Sequence, residues 1–164
     1  MGQQLGSTTV VRNVPTLDTG AHAAGDVIAK FNVGAIDART GGARLKQIAV
    51  FDDSGQADTF TFLFFDGALA GGTYTANGAF APSAADKLLF LGSVTFAAAD
   101  WKTANGDSYG CRECDIGLRH TPAAPGAPGA STPGELTCVI LAGGTPTYAA
   151  NALKIAFGLL PDGA

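Results

Sequence analysis

An antiparallel β-sandwich of about eight strands with one short helix, of which a jelly roll is one form, is the fold class this sequence predicts. Three observations carry that expectation. Short runs of β-branched and aromatic residues recur along the chain, and clusters of Gly, Pro, Asn and Asp cut them at strand length. Outside a single segment, the apolar spacing is two and not 3.6. At 164 residues the chain fits one ordinary domain, long enough to bury a core without a metal or disulfide to hold it.

Taken in order, "STTVVRNV" (7–14) is the first strand, ended by Pro15 and the turn-rich "TLDTG". "DVIAKFNV" (26–33) alternates Val27, Ala29, Phe31 and Val33 on one face with Lys30 and Asn32 on the other, which is a half-buried strand. "ARLKQIAVF" (43–51) sets Leu45 and Val50 among neighbours of mixed polarity, and "DDSG" (52–55) turns the chain with Gly55 available for positive φ. "DTFTFLFFD" (58–66) alternates Thr59 and Thr61 against Phe60 and Phe62 and then becomes wholly apolar, assigning Phe64 and Phe65 to the core or an interface. "PSAADKLLFLG" (82–92) has helical grammar: Ser83 as N-cap, Asp86 at the third helical position, Gly92 as terminator. "SVTFAAADW" (93–101), "CDIGLRH" (114–120), "ELTCVILA" (135–142) and "NALKIAFGLL" (151–160) supply the remaining strands.

This divides the chain into an N-terminal arm or edge segment, 1–24, and a β-sandwich domain, 25–164. Within the domain, "TPAAPGAPGASTPG" (121–134) has no charge and no large side chain, so it reads as a flexible loop or an arm laid on a partner. The strand signal of Gly2 to Asp18 stands apart from the main pattern, which suits an arm reaching a neighbour; pairing at a sheet edge is the competing reading.

Composition narrows the function. Hydrophobic residues make up 46% and charged residues only 15%, leaving little charged surface to keep the chain alone in water, so much of its exterior is expected to meet other protein. A net charge of -4 with no basic tract argues against nucleic acid as a partner. No apolar run approaches the ~18–20 residues that cross a bilayer, so no membrane partner is expected. "MGQQLGSTTVV" lacks the basic, apolar and small-residue sequence of a secretory signal, which implies synthesis in the cytoplasm. Its Met-Gly start has Ser7 one residue out of step with a myristoylation signal.

"GCRECDIGLRH" (110–120) is the stretch that looks like a chemical site. Cys111, Cys114, His120 and Cys138 could numerically supply a three-cysteine, one-histidine zinc set. The spacing opposes it, because a straight strand would carry His120 about 20 Å from Cys114. A redox pair would need its first Cys at a helix N-terminus, and this pair leads into a strand. Cys138, inside "TCVIL", reads as a small core residue. Cys111 and Cys114 are left as two thiols in a loop beside a strand, able to form an inter-subunit disulfide once outside the reducing cytoplasm. No metal and no cofactor is expected.

Enzymatic constellations fail as well. The histidines are His22, in an Ala/Gly loop, and His120. Asp18-Thr19-Gly20 resembles an aspartic-protease triplet, but no apolar strand leads into it and Pro15 breaks the run, so it reads as a turn. Asp52-Asp53 invites the same thought and has no partner pattern. The glycine pairs at 41–42, 71–72 and 143–144 come with neither the lysine nor the following helix of a phosphate or dinucleotide loop. The chain is not expected to be an enzyme.

Four stretches carry a resemblance: "GGARLKQIAVFDDSGQADTFTFLFFD" (41–66), "NGAFAPSAADKLLFLGSVTFAAADW" (77–101), "CDIGLRH" (114–120) and "GGTPTYAANALKIAFGLLPD" (143–162). Together they resemble a family of small tailed-bacteriophage virion proteins encoded near the major capsid protein. The match is one of strand patterns from about residue 25 onward, without catalytic residues. The thiols at 111 and 114 and the Ala/Pro/Gly tract depart from it. The resemblance implies a head decoration or cementing protein at the capsid surface of the virion, with the major capsid protein as partner. A homo-oligomer, a trimer above all, would suit capsid threefold positions. The alternatives are a tail or neck protein, and a carbohydrate- or receptor-binding sandwich using Tyr74, Trp101, Tyr109 or Tyr148 as a platform.

Overall fold

Four antiparallel pairs, nested one inside the next along the chain, organise the molecule, a computed structural model that describes residues 9–35, 42–119 and 135–161. β1 (Thr9–Asn13) pairs with β9 (Leu153–Pro161), and β2 (Val27–Ala35) with β8 (Glu135–Ala142). β3 (Gly42–Asp52) pairs with β7 (Asp107–Arg119), and β4 (Phe60–Asp66) with β5 (Phe90–Phe96). Rolled up, the pairs form two sheets of order β1-β9-β3-β7-β6 and β2-β8-β4-β5, the arrangement of a jelly roll. The fold is therefore the antiparallel β-sandwich that the sequence predicts. Among the described residues it has nine strands where about eight were expected, because β6 (Trp101–Ala104) is added at the edge of the larger sheet as a hairpin with β7.

The inner faces follow from period-two patterning. Phe60, Phe62 and Phe64 of β4 point inward and are fully buried, as are Leu153, Ile155, Phe157 and Leu159 of β9 from the facing sheet. Edge-to-face contacts join Phe62 to Phe96 and Phe157, with ring centroids 5.7 and 6.2 Å apart. In β3 the alternation slips: Ala43 and Leu45 are buried, then Ile48 and Val50, because a register shift at 45–47 inserts one extra residue. That bulge is the mixed polarity seen in the sequence.

The outer face of the smaller sheet is covered by the β4–β5 connection, 67–89. Its Leu69 and Tyr74 bury Phe65, Val27 and Val139 in a second cluster. Phe64 thus faces the main core and Phe65 this lesser one. Ser83 caps the helix as expected, with Asp86 completing a capping box, but α1 is one turn, Ala84–Lys87. Phe90 already pairs with Phe65, so the residues expected to extend the helix form β5 instead. A single turn has almost no stability of its own, and cross-strand pairing overrides it.

Two further boundaries move. The expected strand 93–101 is split: β5 ends at Phe96, Ala98–Asp100 makes a 3-10 turn, and β6 starts at Trp101. β7 begins at Asp107, seven residues before the expected start at 114. The N-terminal segment supplies an edge strand at Thr9–Asn13 and the core residue Leu17, so this stretch is anchored in its own sandwich. The first eight residues and the 121–134 tract lie outside the described residues.

Candidate functional site

β7 decides the fate of the cysteines. Its residues alternate, with Ser108, Gly110 and Leu118 buried between the sheets while Tyr109, Cys111, Glu113 and Asp115 face outward. The expectation of two thiols in a loop is corrected: both lie inside the strand, on opposite faces. Cys111 is exposed and accepts a hydrogen bond from Gln47 Nε2 at 2.8 Å. Cys114 is half-buried against the main core, and burial, helped by the Asp115 charge, pushes its thiol up from its ordinary value. Cys138 is fully buried in β8 of the other sheet, where burial raises its thiol well above normal. Cys111 thus faces away from Cys114 across β7, while Cys114 and Cys138 face the main core from opposite sheets. Among the described residues no three His, Cys, Asp or Glu side chains group as metal ligands. His120 lies outside the described residues.

The carboxylates considered for catalysis serve structure. Asp18 Oδ1 accepts from the Gly20 N–H at 2.7 Å, which closes a turn. Asp52 is buried and accepts from the Ser54 and Gln56 N–H groups, both at 2.8 Å; burial nonetheless raises its carboxyl above the ordinary value. Asp53 pairs with Lys154 on the surface. His22 lies in its Ala/Gly loop, as expected, and is buried there, tilted against Tyr148 at a centroid distance of 6.2 Å. Neither its ring nitrogens nor the Tyr148 hydroxyl has a hydrogen-bond partner among the described residues. Burial and the charges of Asp52 and Asp58 push the Tyr148 hydroxyl up, so it stays neutral.

Of the four aromatic residues considered for a sugar platform, Tyr74, Trp101 and Tyr148 belong to the buried clusters. Tyr109 is 43% exposed and stacks on the exposed Phe51 at 6.3 Å. These two rings lead to the feature the sequence reading missed. A groove of about 720 Å³ crosses the outer face of the five-stranded sheet. The pairing register defines its floor as one cross-strand row, Arg12 opposite Ala156, Ala156 opposite Ala49 and Ala49 opposite Cys111. The row two residues along forms a wall: Lys154 opposite Phe51, Phe51 opposite Tyr109, and Tyr109 opposite Lys102. Small side chains next to large ones make the depression.

Its electrostatics are one-sided. The Lys154 ammonium stands 5.8 Å over the Phe51 ring and is neutralised by Asp53. Asp100, which also lines the groove, is held by Arg112 at 2.6 Å; the Ala97 N–H and that guanidinium together keep its carboxyl below the ordinary range. Arg12 and Lys102, exposed at opposite ends, have no hydrogen bond or ion pair among the described residues. A usable signal was present in the sequence: "IAVF" (48–51) and "IAF" (155–157) are apolar at the outward as well as the inward positions.

No protein-family model matches the chain, and no curated protein matches it either. The likeness to tailed-bacteriophage virion proteins therefore stands on the quoted strand patterns alone.

Proposed function

We propose that this chain is a bacteriophage head decoration protein that docks on the outer capsid lattice, against the major capsid protein, and cements it by bridging subunits. The observation that carries this reading is the outward apolar groove on the five-stranded sheet. An exposed apolar groove suits a contact with another protein, and a coat component has use for one. The jelly roll is shared by viral coat proteins, lectins and cupins, so it accommodates the reading without selecting it.

Cementing works through number. Each copy contributes a modest contact, and an oligomer, with a trimer suited to threefold positions, binds several capsid subunits at once, so the collective bond far exceeds any single one. The chain would be made in the host cytoplasm and act at the virion surface, without cofactor, nucleic acid or membrane. Quantitative mass spectrometry of purified virions tests it. One copy per capsid subunit, or per few, is the expected ratio; a handful of copies per particle would move the protein to the neck or tail, and none would overturn the virion assignment.

A further inference from the structure

The groove has ends, a floor and a charge pattern, and together these describe what it holds. We propose that it binds an extended segment of a partner protein, aliphatic at its centre and carrying a carboxylate at each end, laid across the strands of the larger sheet. In the coat reading that segment belongs to the capsid protein, and the partner's identity alone rests on that reading.

The geometry sets the length. Arg12 is on β1 and Lys102 on β6, the two edges of a five-stranded sheet. Four inter-strand steps of ~4.8 Å separate them by about 19 Å, which six residues of extended chain span at ~3.3 Å each. The wall bearing Phe51 and Tyr109 and the row bearing Gln47 lie four residues apart along the strands, about 13 Å between backbones. Side chains on both sides narrow that gap, and Gln47 leans in to reach the Cys111 sulfur. An extended chain fits this width better than a helix of roughly 10 Å diameter.

The chemistry sets the composition. The floor of Ala156, Ala49 and Cys111 offers no charge, and Phe51 with Tyr109 adds an aromatic flank, so the centre of the occupant is apolar. At the ends, Arg12 and Lys102, without partners among the described residues, face the groove, while the lining carboxylate, Asp100, is already satisfied by Arg112. Glu113, opposite Gln47 in the row that bounds the groove, stands four residues along β7 from Tyr109, the partner of Lys102, so it does not neutralise that end. A segment ending in carboxylates gains two ion pairs, and a lysine-flanked one meets like charge.

The test uses the whole protein and three capped, fluorescent seven-residue peptides: Asp-Leu-Ala-Val-Ala-Leu-Asp, the same core flanked by Lys, and the Asp-flanked frame with Ser throughout its core. Fluorescence anisotropy at low salt reads binding, and the rate of Cys111 alkylation by iodoacetamide reads occupation of the floor. We expect the acidic apolar peptide to bind about tenfold or more tighter than either control and to slow alkylation of Cys111. The double variant Arg12→Glu, Lys102→Glu, changed only at exposed positions, should reverse the order of the Asp- and Lys-flanked peptides. Ala49→Arg should block all three. Equal binding of the three peptides, or no reversal in the double variant, overturns the proposal. Shielding of Cys111 that grows with protein concentration in the absence of peptide also overturns it, by making a second copy the occupant. The copy number in virions is read independently, so either idea can fail without the other.

Discussion

Asp86 does more for the β4–β5 connection than the single helical turn it belongs to. Its carboxylate is buried and accepts from Tyr74 Oη at 2.7 Å, Ser83 Oγ at 2.8 Å and the Ala70 N–H at 3.2 Å. Burial alone would push the carboxyl up; the bonds from Tyr74, Ser83 and the backbone outweigh it and hold the group at about 2, below its ordinary 3.8. The unfolded chain takes up the proton first, so this stabilisation is complete above pH 4 and drains away as pH falls toward 2. Asp86→Ala should cost about 2–3 kcal/mol in urea unfolding at pH 7, with Tyr74 left unsatisfied, and the gap to the unmodified protein should narrow on going to pH 3. A gap independent of pH would show that packing and not charge is lost. The cysteines give a second residue-scale outcome. Cys111 should react with iodoacetamide first, Cys114 more slowly, and Cys138 only in denaturant, as mass spectrometry would resolve. Any disulfide between copies should therefore vanish in Cys111→Ser and persist in Cys114→Ser on a non-reducing gel; the opposite pattern would mean that β7 does not hold the facing described above.

At the scale of elements, two turns meet at one end of the larger sheet. Asn105 and Gly106, with φ of 56° and 89°, form the two-residue connection of the β6–β7 hairpin, and Gly55 at φ 63° ends the β3 turn beside them. A Cβ on Gly106 would meet nothing within 4 Å, whereas one on Gly55 would fall 2.2 Å from the Gly106 carbonyl oxygen. Gly106→Ala should therefore cost only backbone strain, roughly 1 kcal/mol, and Gly55→Ala should cost at least about 1 kcal/mol more because two turns must separate. Equal urea midpoints for the two variants would refute this contact. The Asn-Gly pair inside "TANGDS" is also the hairpin signal that locates β6 and the early start of β7. Without it, the front half of β7 reads as loop and the thiols seem to lie outside the sheet.

For the whole molecule, nesting has a kinetic cost. β1 pairs with β9, bringing Thr9 to Leu159, and the remaining pairs close progressively shorter spans. Apart from the β4–β5 and β6–β7 pairings, strand partners are distant in the chain, so loop closure precedes most of the stabilising contacts. Refolding followed through the single tryptophan, Trp101, which is buried against Phe60 at 5.3 Å, should take milliseconds to seconds or longer. A sub-millisecond phase carrying the full amplitude would contradict a topology built on long-range pairs.

The sequence by itself determined the β class, the inward face of β4 at Phe60 and Phe62, the capping of α1 by Ser83 and the turn role of Asp18, because these depend on period-two patterning and on bonds between residues close in the chain. Only the tertiary structure decided which strands are neighbours, and with that the facing of Cys111 away from Cys114 and the row Arg12, Ala156, Ala49, Cys111. Those four residues come from four strands, and nothing local relates them. A groove on a sheet is a property of register, and register is set when non-local strands pair.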